Sequence, residues 1–119
     1  MPLVDATGRE RYAHEAELEL VAGVDPAAVG AQVTVALCGH WEHEGPCRWP
    51  HNNDFAGGVF RTLFVAPPAD EAEVRGRIED ALRGDERWSV VSSGGRPVAV
   101  EEQGLAGRLA ETPLPAHRP

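Results

Sequence analysis

The alternation of apolar and polar residues predicts several strands along the chain. In "AHEAELELVAG", Ala16, Leu18 and Leu20 alternate with three glutamates, which is the period of a strand with one face in water. "QVTVALCGHW" is rich in valine and predicts a second strand, and "VFRTLFVAP" predicts a third. Gly94 and Gly95 separate two β-rich runs and predict a hairpin turn near the end of the chain. Together these segments predict a sheet of about five strands.

One helix is predicted between Asp70 and Gly84. Val74, Ile78 and Leu82 are spaced four residues apart and form a single apolar stripe. Glutamate and arginine residues, also four apart, form charge pairs on the outer side of this helix. Asp70 is expected to cap its first turn, and Gly84 is expected to end its last turn.

The segment 26–31 decides between two arrangements of these elements. If it forms a helix, the first six elements are a degenerate ferredoxin-like βαββαβ; if it does not, they form a three-stranded meander followed by the helix and a hairpin. Both are α+β folds, with a mainly antiparallel sheet and one principal helix on one face. We expect a single domain over residues 1–102. Residues 103–119 are expected to form a C-terminal extension that begins as a short helix and is partly flexible.

Length and charge narrow the functional classes. The chain has 119 residues, enough for one hydrophobic core, and a net charge of −8, which argues against a nucleic-acid partner. It contains no apolar run near the roughly 20 residues that cross a bilayer, so no membrane partner is expected. The N-terminal segment lacks the pattern of a secretory signal, so we predict a cytoplasmic protein in which a structural disulfide is not expected.

Residues with ligating or reactive side chains are concentrated in "CGHWEHEGPCRWPHNND", which spans 38–54. Both cysteines and three of the five histidines are there. The sequence predicts a long loop over residues 42–58, after the strand that contains Cys38. Thiolate and imidazole ligands suit zinc, so we predict that a zinc-like ion orders this strand and loop. The spacing matches neither a zinc finger nor HExxH, so the prediction depends on residue type and proximity alone. The candidate ligands are Cys38, His40, His43, Cys47 and His51.

A metal-free enzyme or ligand-binding protein is the alternative. In that interpretation Cys47 is the nucleophile, and His43 or His51 lowers the pKa of its thiol.

The same segment offers residues for a small-molecule pocket. Trp41, Trp49 and Asn53 would line it, although tryptophan rings serve equally well as core residues. A third interpretation is a homodimer that pairs exposed sheet edges. The two histidines outside the segment, His14 and His117, are predicted to lie on the surface.

Overall fold

The protein is α+β, with one four-stranded antiparallel sheet and three α-helices among the residues that its computed structural model describes, 8–38 and 48–110. The elements are β1 (Glu10–Leu20), α1 (Ala27–Cys38), β2 (His51–Ala56), β3 (Val59–Ala66), α2 (Glu71–Arg83), β4 (Trp88–Arg96) and α3 (Gln103–Ala110). The strand order is β2-β3-β1-β4, and every neighbouring pair is antiparallel. Four strands are therefore present in the described ranges, where about five were predicted.

The alternation along β1 gives the sheet two covered faces. Ala16 and Leu18 point to the side of α1 and α2 and join the main hydrophobic core. Ala13 points to the other side, where α3 lies against β1 and β3, and it is fully buried. The predicted strand is confirmed. One principal helix was predicted on one face, whereas the structure has two helices on that face and a third on the other.

The segment predicted as the second strand is the helix α1, so that prediction was wrong. Val29, Val33 and Leu37 are buried at a spacing of four, whereas Val35 is exposed. The Asp25 side chain accepts a hydrogen bond of 2.9 Å from the backbone N–H of Ala27 and caps the helix. The β-preference of valine is weak compared with the burial that a helical stripe gains against a sheet.

The hairpin turn lies at Gly57 and Gly58, inside the segment 42–58 that was predicted to be a loop. Both residues have positive φ, 59° and 80°, which a two-residue hairpin turn between β2 and β3 requires. Gly94 and Gly95 instead lie within β4 and pair with β1. The prediction of a turn there was wrong, because two glycines permit a turn but do not impose one.

The helix α2 confirms the most regular pattern of the sequence. Val74, Ile78 and Leu82 are buried in the core, and the three predicted Glu–Arg pairs form ion pairs. They do not all lie on its outer side, since Glu79 also contacts the buried His14. Asp70 stands at the N-cap, but its side chain makes no capping hydrogen bond. It accepts the indole N–H of Trp49 at 3.2 Å instead, so the capping prediction was wrong.

The chain after residue 102 begins with a short helix, as predicted, and α3 packs against the sheet. The expected boundary between residues 1–102 and 103–119 stays a prediction. Among the described helices, none combines the length and the apolar character that crossing a bilayer requires.

Candidate functional site

A groove of about 490 Å³ lies between α1 and the edge strand β2. Cavities of this size accommodate small organic ligands. Three elements form the walls, and the residues used below are Ala27, Gly30, Ala31 and Thr34 from α1, His51, Asn53, Asp54 and Phe55 from β2, and Phe60 from β3.

The local sequence explains why the groove is open. The side of α1 that faces β2 carries alanine and glycine, which leave space between helix and strand. The period of two along β2 turns His51, Asn53 and Phe55 toward the helices. Gly30 allows a close approach, since a Cβ atom on it would lie 3.4 Å from Asn53 Nδ2.

Polar side chains along the groove form a connected chain of hydrogen bonds. Asn53 Nδ2 donates to the Gly30 carbonyl oxygen at 3.1 Å and to Thr34 Oγ1 at 3.2 Å. Thr34 Oγ1 lies 3.1 Å from His51 Nε2, and His51 Nδ1 lies 3.1 Å from the Trp49 carbonyl oxygen. A carbonyl oxygen only accepts, so Nδ1 carries the imidazole proton and Nε2 accepts the threonine hydroxyl.

A hydroxyl that donates to an imidazole is the contact of a nucleophile with its general base. Thr34 is only 5% exposed, however, and its oxygen also accepts from Asn53. A buried hydroxyl that is held on both sides is poorly placed to attack a substrate. The arrangement is therefore better suited to binding than to nucleophilic catalysis.

Cys38 is disulfide-bonded, and no cysteine in the described ranges has a free thiol. The expectation that a structural disulfide is absent was therefore wrong for Cys38. That expectation came from the predicted compartment, which does not determine which sulfur atoms the fold brings together. Cys38 Sγ also lies 3.9 Å from His51 Nδ1, at one end of the groove.

The zinc prediction is left untested. Residues 8–38 and 48–110 contain no group of three or more His, Cys, Asp or Glu side chains that could hold a metal ion. Of the five predicted ligands, Cys38 and His51 are brought together. The other three, His40, His43 and Cys47, lie outside the described residues, and so the alternative with Cys47 as nucleophile also stays a prediction.

The predicted pocket residues divide between groove and core. Asn53 lines the groove, whereas Trp49 is 1% exposed and belongs to the hydrophobic core. The Trp49 ring has the guanidinium groups of Arg48 and Arg77 at 4.5 and 5.0 Å from its centroid. Trp41 lies outside the described residues.

A second polar cluster, which the sequence did not predict, surrounds His14. This residue was expected on the surface and is only 3% exposed, so the expectation was wrong. Its Nε2 donates to Glu79 Oε2 at 2.6 Å, and Arg75 Nη1 donates to its Nδ1 at 3.0 Å. The signal was present in the pattern of β1, since residue 14 lies two positions before Ala16 and so on the same inward face. His117 lies outside the described residues.

The cluster lowers the pKa of two groups. Burial lowers the pKa of His14 below 6.5, although the hydrogen bond with Glu79 acts in the opposite direction. Burial alone would raise the pKa of Glu79. Hydrogen bonds from Ser93, His14 and Arg83 outweigh that effect and bring the pKa of Glu79 to about 2.

The chain matches no protein-family model, and neither a curated protein nor a solved structure is significantly similar to it.

Proposed function

We propose that the protein binds a small organic molecule in the groove between α1 and β2. The observation that carries this proposal is the hydrogen-bonded chain Asn53–Thr34–His51 along a concavity of about 490 Å³. Phe55 and Phe60 line the same concavity, so polar groups of defined direction stand beside apolar rings. Binding sites for small molecules combine these two features.

Hydrogen bonds within the groove also hold its polar side chains in place before a ligand enters. Three of its polar side chains are fixed by one another and by backbone carbonyl groups. Groups that are already oriented lose little conformational entropy on binding.

Titration of ¹⁵N-labelled protein with a library of small fragments tests the proposal. We expect chemical-shift changes at the backbone amides of 27–34 and 51–55, in the walls of the groove. Ala31→Leu fills the groove and should abolish these changes. Ala36→Leu, on the same helix and away from the groove, is the matched control and should leave them intact.

Fragment-induced shifts that persist in Ala31→Leu, or that fall on the face covered by α3, would rule out the groove as the binding site. A library without any binding fragment would count against the proposed function as a whole.

A second candidate is metal binding after reduction of the disulfide, favoured by the distance of 3.9 Å between Cys38 Sγ and His51 Nδ1. Two such ligands on one tetrahedral zinc ion lie about 3.6 Å apart, given bonds of roughly 2.0–2.3 Å. A disulfide sulfur is not a thiolate, so the ion would bind only the reduced protein. The imidazole proton of His51 would also move from Nδ1 to Nε2, which frees Nδ1 for the metal. His40, His43 and Cys47 are the proposed remaining ligands.

Elemental analysis of protein purified without a histidine tag tests this candidate. We expect about one equivalent of zinc after reduction and none in the oxidised protein, with loss of the metal in Cys38→Ser and His51→Ala. Less than about a tenth of an equivalent in both redox states, with no uptake on titration, would exclude it.

We further infer a ferredoxin-like arrangement of the chain. The order β1-α1-β2-β3-α2-β4 and the antiparallel strand order β2-β3-β1-β4 support this inference.

A homodimer also stays a proposal. Within the described ranges, β2 and β4 are each paired on one side only, so each has an edge that a second copy could extend. Light scattering after size exclusion measures the mass directly, and a mass of one chain at high concentration would exclude the dimer.

A further inference from the structure

The outer edge of β2, beside the groove, presents backbone groups that have no partner within the described ranges. β2 is the end strand of the sheet and pairs with β3 alone. The N–H of Val65 donates to the Pro50 carbonyl oxygen at 3.0 Å, so position 50 and every second residue after it bond to β3. Asn53 and Phe55 lie between these positions and direct their backbone N–H and C=O groups to the open edge.

The other edge of the sheet, formed by β4, is less suited to accept a further strand. Its pairing with β1 shifts register between Glu17 and Leu18, and such irregularities turn an edge away from a new strand. The pairing of β2 with β3 runs without a shift over its six residues. β2 also contains neither Pro nor Lys, the residues that commonly protect an edge. Of these two edges, that of β2 is the one prepared for strand addition.

On the side of α1, a strand added to this edge would place its side chains in the groove. The walls there are Ala27 and Ala31 of the helix and the rings of Phe55 and Phe60. Alternate side chains of an added strand point to the same face, so two of them would reach these walls. The walls are apolar and suit aliphatic side chains.

On the opposite face, the side of α3, the added strand would lie beside a carboxylate. Asp54 is exposed there, next to Arg61 of β3. The guanidinium of Arg61 is already held by Glu102 through two hydrogen bonds of 2.7 Å. A basic side chain opposite Asp54 would complement its charge, and the net charge of −8 attracts a cationic partner from a distance.

A single strand fits this edge better than a second copy of the chain does. Asn53 Nδ2 lies 3.1 Å from the Gly30 carbonyl oxygen, so α1 stands close above the edge strand. Antiparallel pairing of two β2 strands would bring a second α1 onto the same face. Paired strands are about 4.8 Å apart, whereas packed helices keep about 8–10 Å between their axes. A peptide brings no helix and avoids this conflict.

From these observations we infer that the edge of β2 binds an extended peptide segment of a partner protein, which adds an antiparallel strand to the sheet. The antiparallel direction is the more stable one and continues the pattern of the sheet. Two aliphatic side chains of the peptide lie in the groove, and a basic side chain between them lies opposite Asp54. The inference rests on the proposed function of the groove and names a peptide as its ligand.

The peptide Ac-Ser-Val-Lys-Val-Ser-NH₂ is the probe. Its two valines would stand opposite Asn53 and Phe55 and exchange hydrogen bonds with them. At a peptide concentration tenfold above the dissociation constant, amide hydrogen exchange should slow about tenfold at these two residues. Asn52 and Asp54 are the internal control, because their amides already bond to β3 and should change little.

N-methylated peptides test the main-chain hydrogen bonds separately from the side chains. Methyl groups on both valine nitrogens remove the donors that face β2 and should weaken binding at least about tenfold. A methyl group on the lysine backbone nitrogen, which faces away from β2, is the matched control. It should change the affinity by less than about twofold.

A charge exchange tests the position of the basic side chain. Asp54→Lys should weaken binding of the lysine peptide and strengthen binding of Ac-Ser-Val-Glu-Val-Ser-NH₂, by about two- to fivefold each. Glu19→Lys changes the net charge of the protein by the same amount from an exposed position on β1. It should leave the preference for the lysine peptide in place.

Slow exchange at Asn53 and Phe55 in the concentrated free protein would overturn the inference, because a second copy would then occupy the edge. Peptide-induced changes confined to β4, or equal losses for the two kinds of N-methylated peptide, would do the same. If the peptide leaves every amide unchanged while fragments shift those of the groove, the peptide inference fails and the proposed function stands.

Discussion

At the scale of single residues, His14 and Glu79 link acid–base chemistry to folding. Their side chains meet at 2.6 Å beneath α2, and the pKa of each is lowered. Below pH 6.5 the unfolded chain protonates His14 more readily than the folded chain does, so stability falls. The lowered pKa of Glu79 stabilises the folded state fully above pH 4.5, and this stabilisation is lost as the pH falls toward about 2. Both groups therefore make the fold weaker in acid.

We predict that His14→Gln flattens the pH dependence of stability between about pH 7 and 5. A glutamine amide still donates to Glu79 but takes no proton. The free energy of unfolding, from urea titrations at several pH values, gives the comparison. The same slope in variant and parent would show that His14 is not the titrating group.

Glu79→Gln should lower the free energy of unfolding at pH 7 by about 1–2 kcal/mol, a figure reduced for its partial exposure. The loss arises because a carboxylate accepts hydrogen bonds from Ser93, His14 and Arg83. The difference between variant and parent should shrink as the pH falls below 4.5. Glu17→Gln, on the exposed side of β1, is the control and should have little effect at either pH.

At the scale of elements, α1 and α2 each contain one glycine in the helix interior, and the surroundings of the two glycines differ. A Cβ atom on Gly76 of α2 would meet nothing within 4 Å, whereas one on Gly30 of α1 would touch Asn53. Alanine is favoured over glycine in a helix interior by about 1 kcal/mol when nothing else changes.

We therefore predict that Gly76→Ala raises the free energy of unfolding by about 0.5–1 kcal/mol, and that Gly30→Ala gains less. The reason for the difference is that the new methyl group on Gly30 would lie 3.4 Å from Asn53 Nδ2, at the close limit of van der Waals contact, whereas one on Gly76 meets nothing. Urea unfolding of the two variants side by side measures both gains. Equal gains would mean that the contact between Gly30 and Asn53 is looser than its distance implies.

At the scale of the whole molecule, α3 covers the second face of the sheet. Ala13 and Val65 are fully buried although they point away from α1 and α2, and Ala106 of α3 is buried as well. Arg9 Nη2 donates to the carbonyl oxygen of Ala110 at 2.9 Å and ties the end of this helix to the start of the fold.

Deleting residues 103–119 should therefore lower the free energy of unfolding by about 2–4 kcal/mol, because apolar side chains on that face enter water. Ala106→Glu should also destabilise the protein, since it puts a charge in a buried position. Arg108→Gln, on the exposed side of α3, serves as the control. A truncated chain of unchanged stability would support the predicted domain boundary at residue 102.

The candidate site was only partly predictable from sequence. His51 and Asn53 were identified because their residue types are common in binding sites. Gly30 and Thr34 were missed because they lie in and beside a segment that resembles a strand. The groove needs both pairs, and the residues of one pair lie 17 or more positions from those of the other. No local pattern therefore reveals that Thr34 and His51 are neighbours.

The sequence by itself determined β1 and α2. In these segments the periodicity of apolar residues is strong, and it agrees with local preference, so the same structure is favoured at both levels. Only the tertiary structure decided α1 and the hairpin at Gly57 and Gly58. A valine-rich segment or a pair of glycines is compatible with more than one local structure. Packing against the rest of the sheet selects the one that buries the most apolar surface and pairs the buried polar groups.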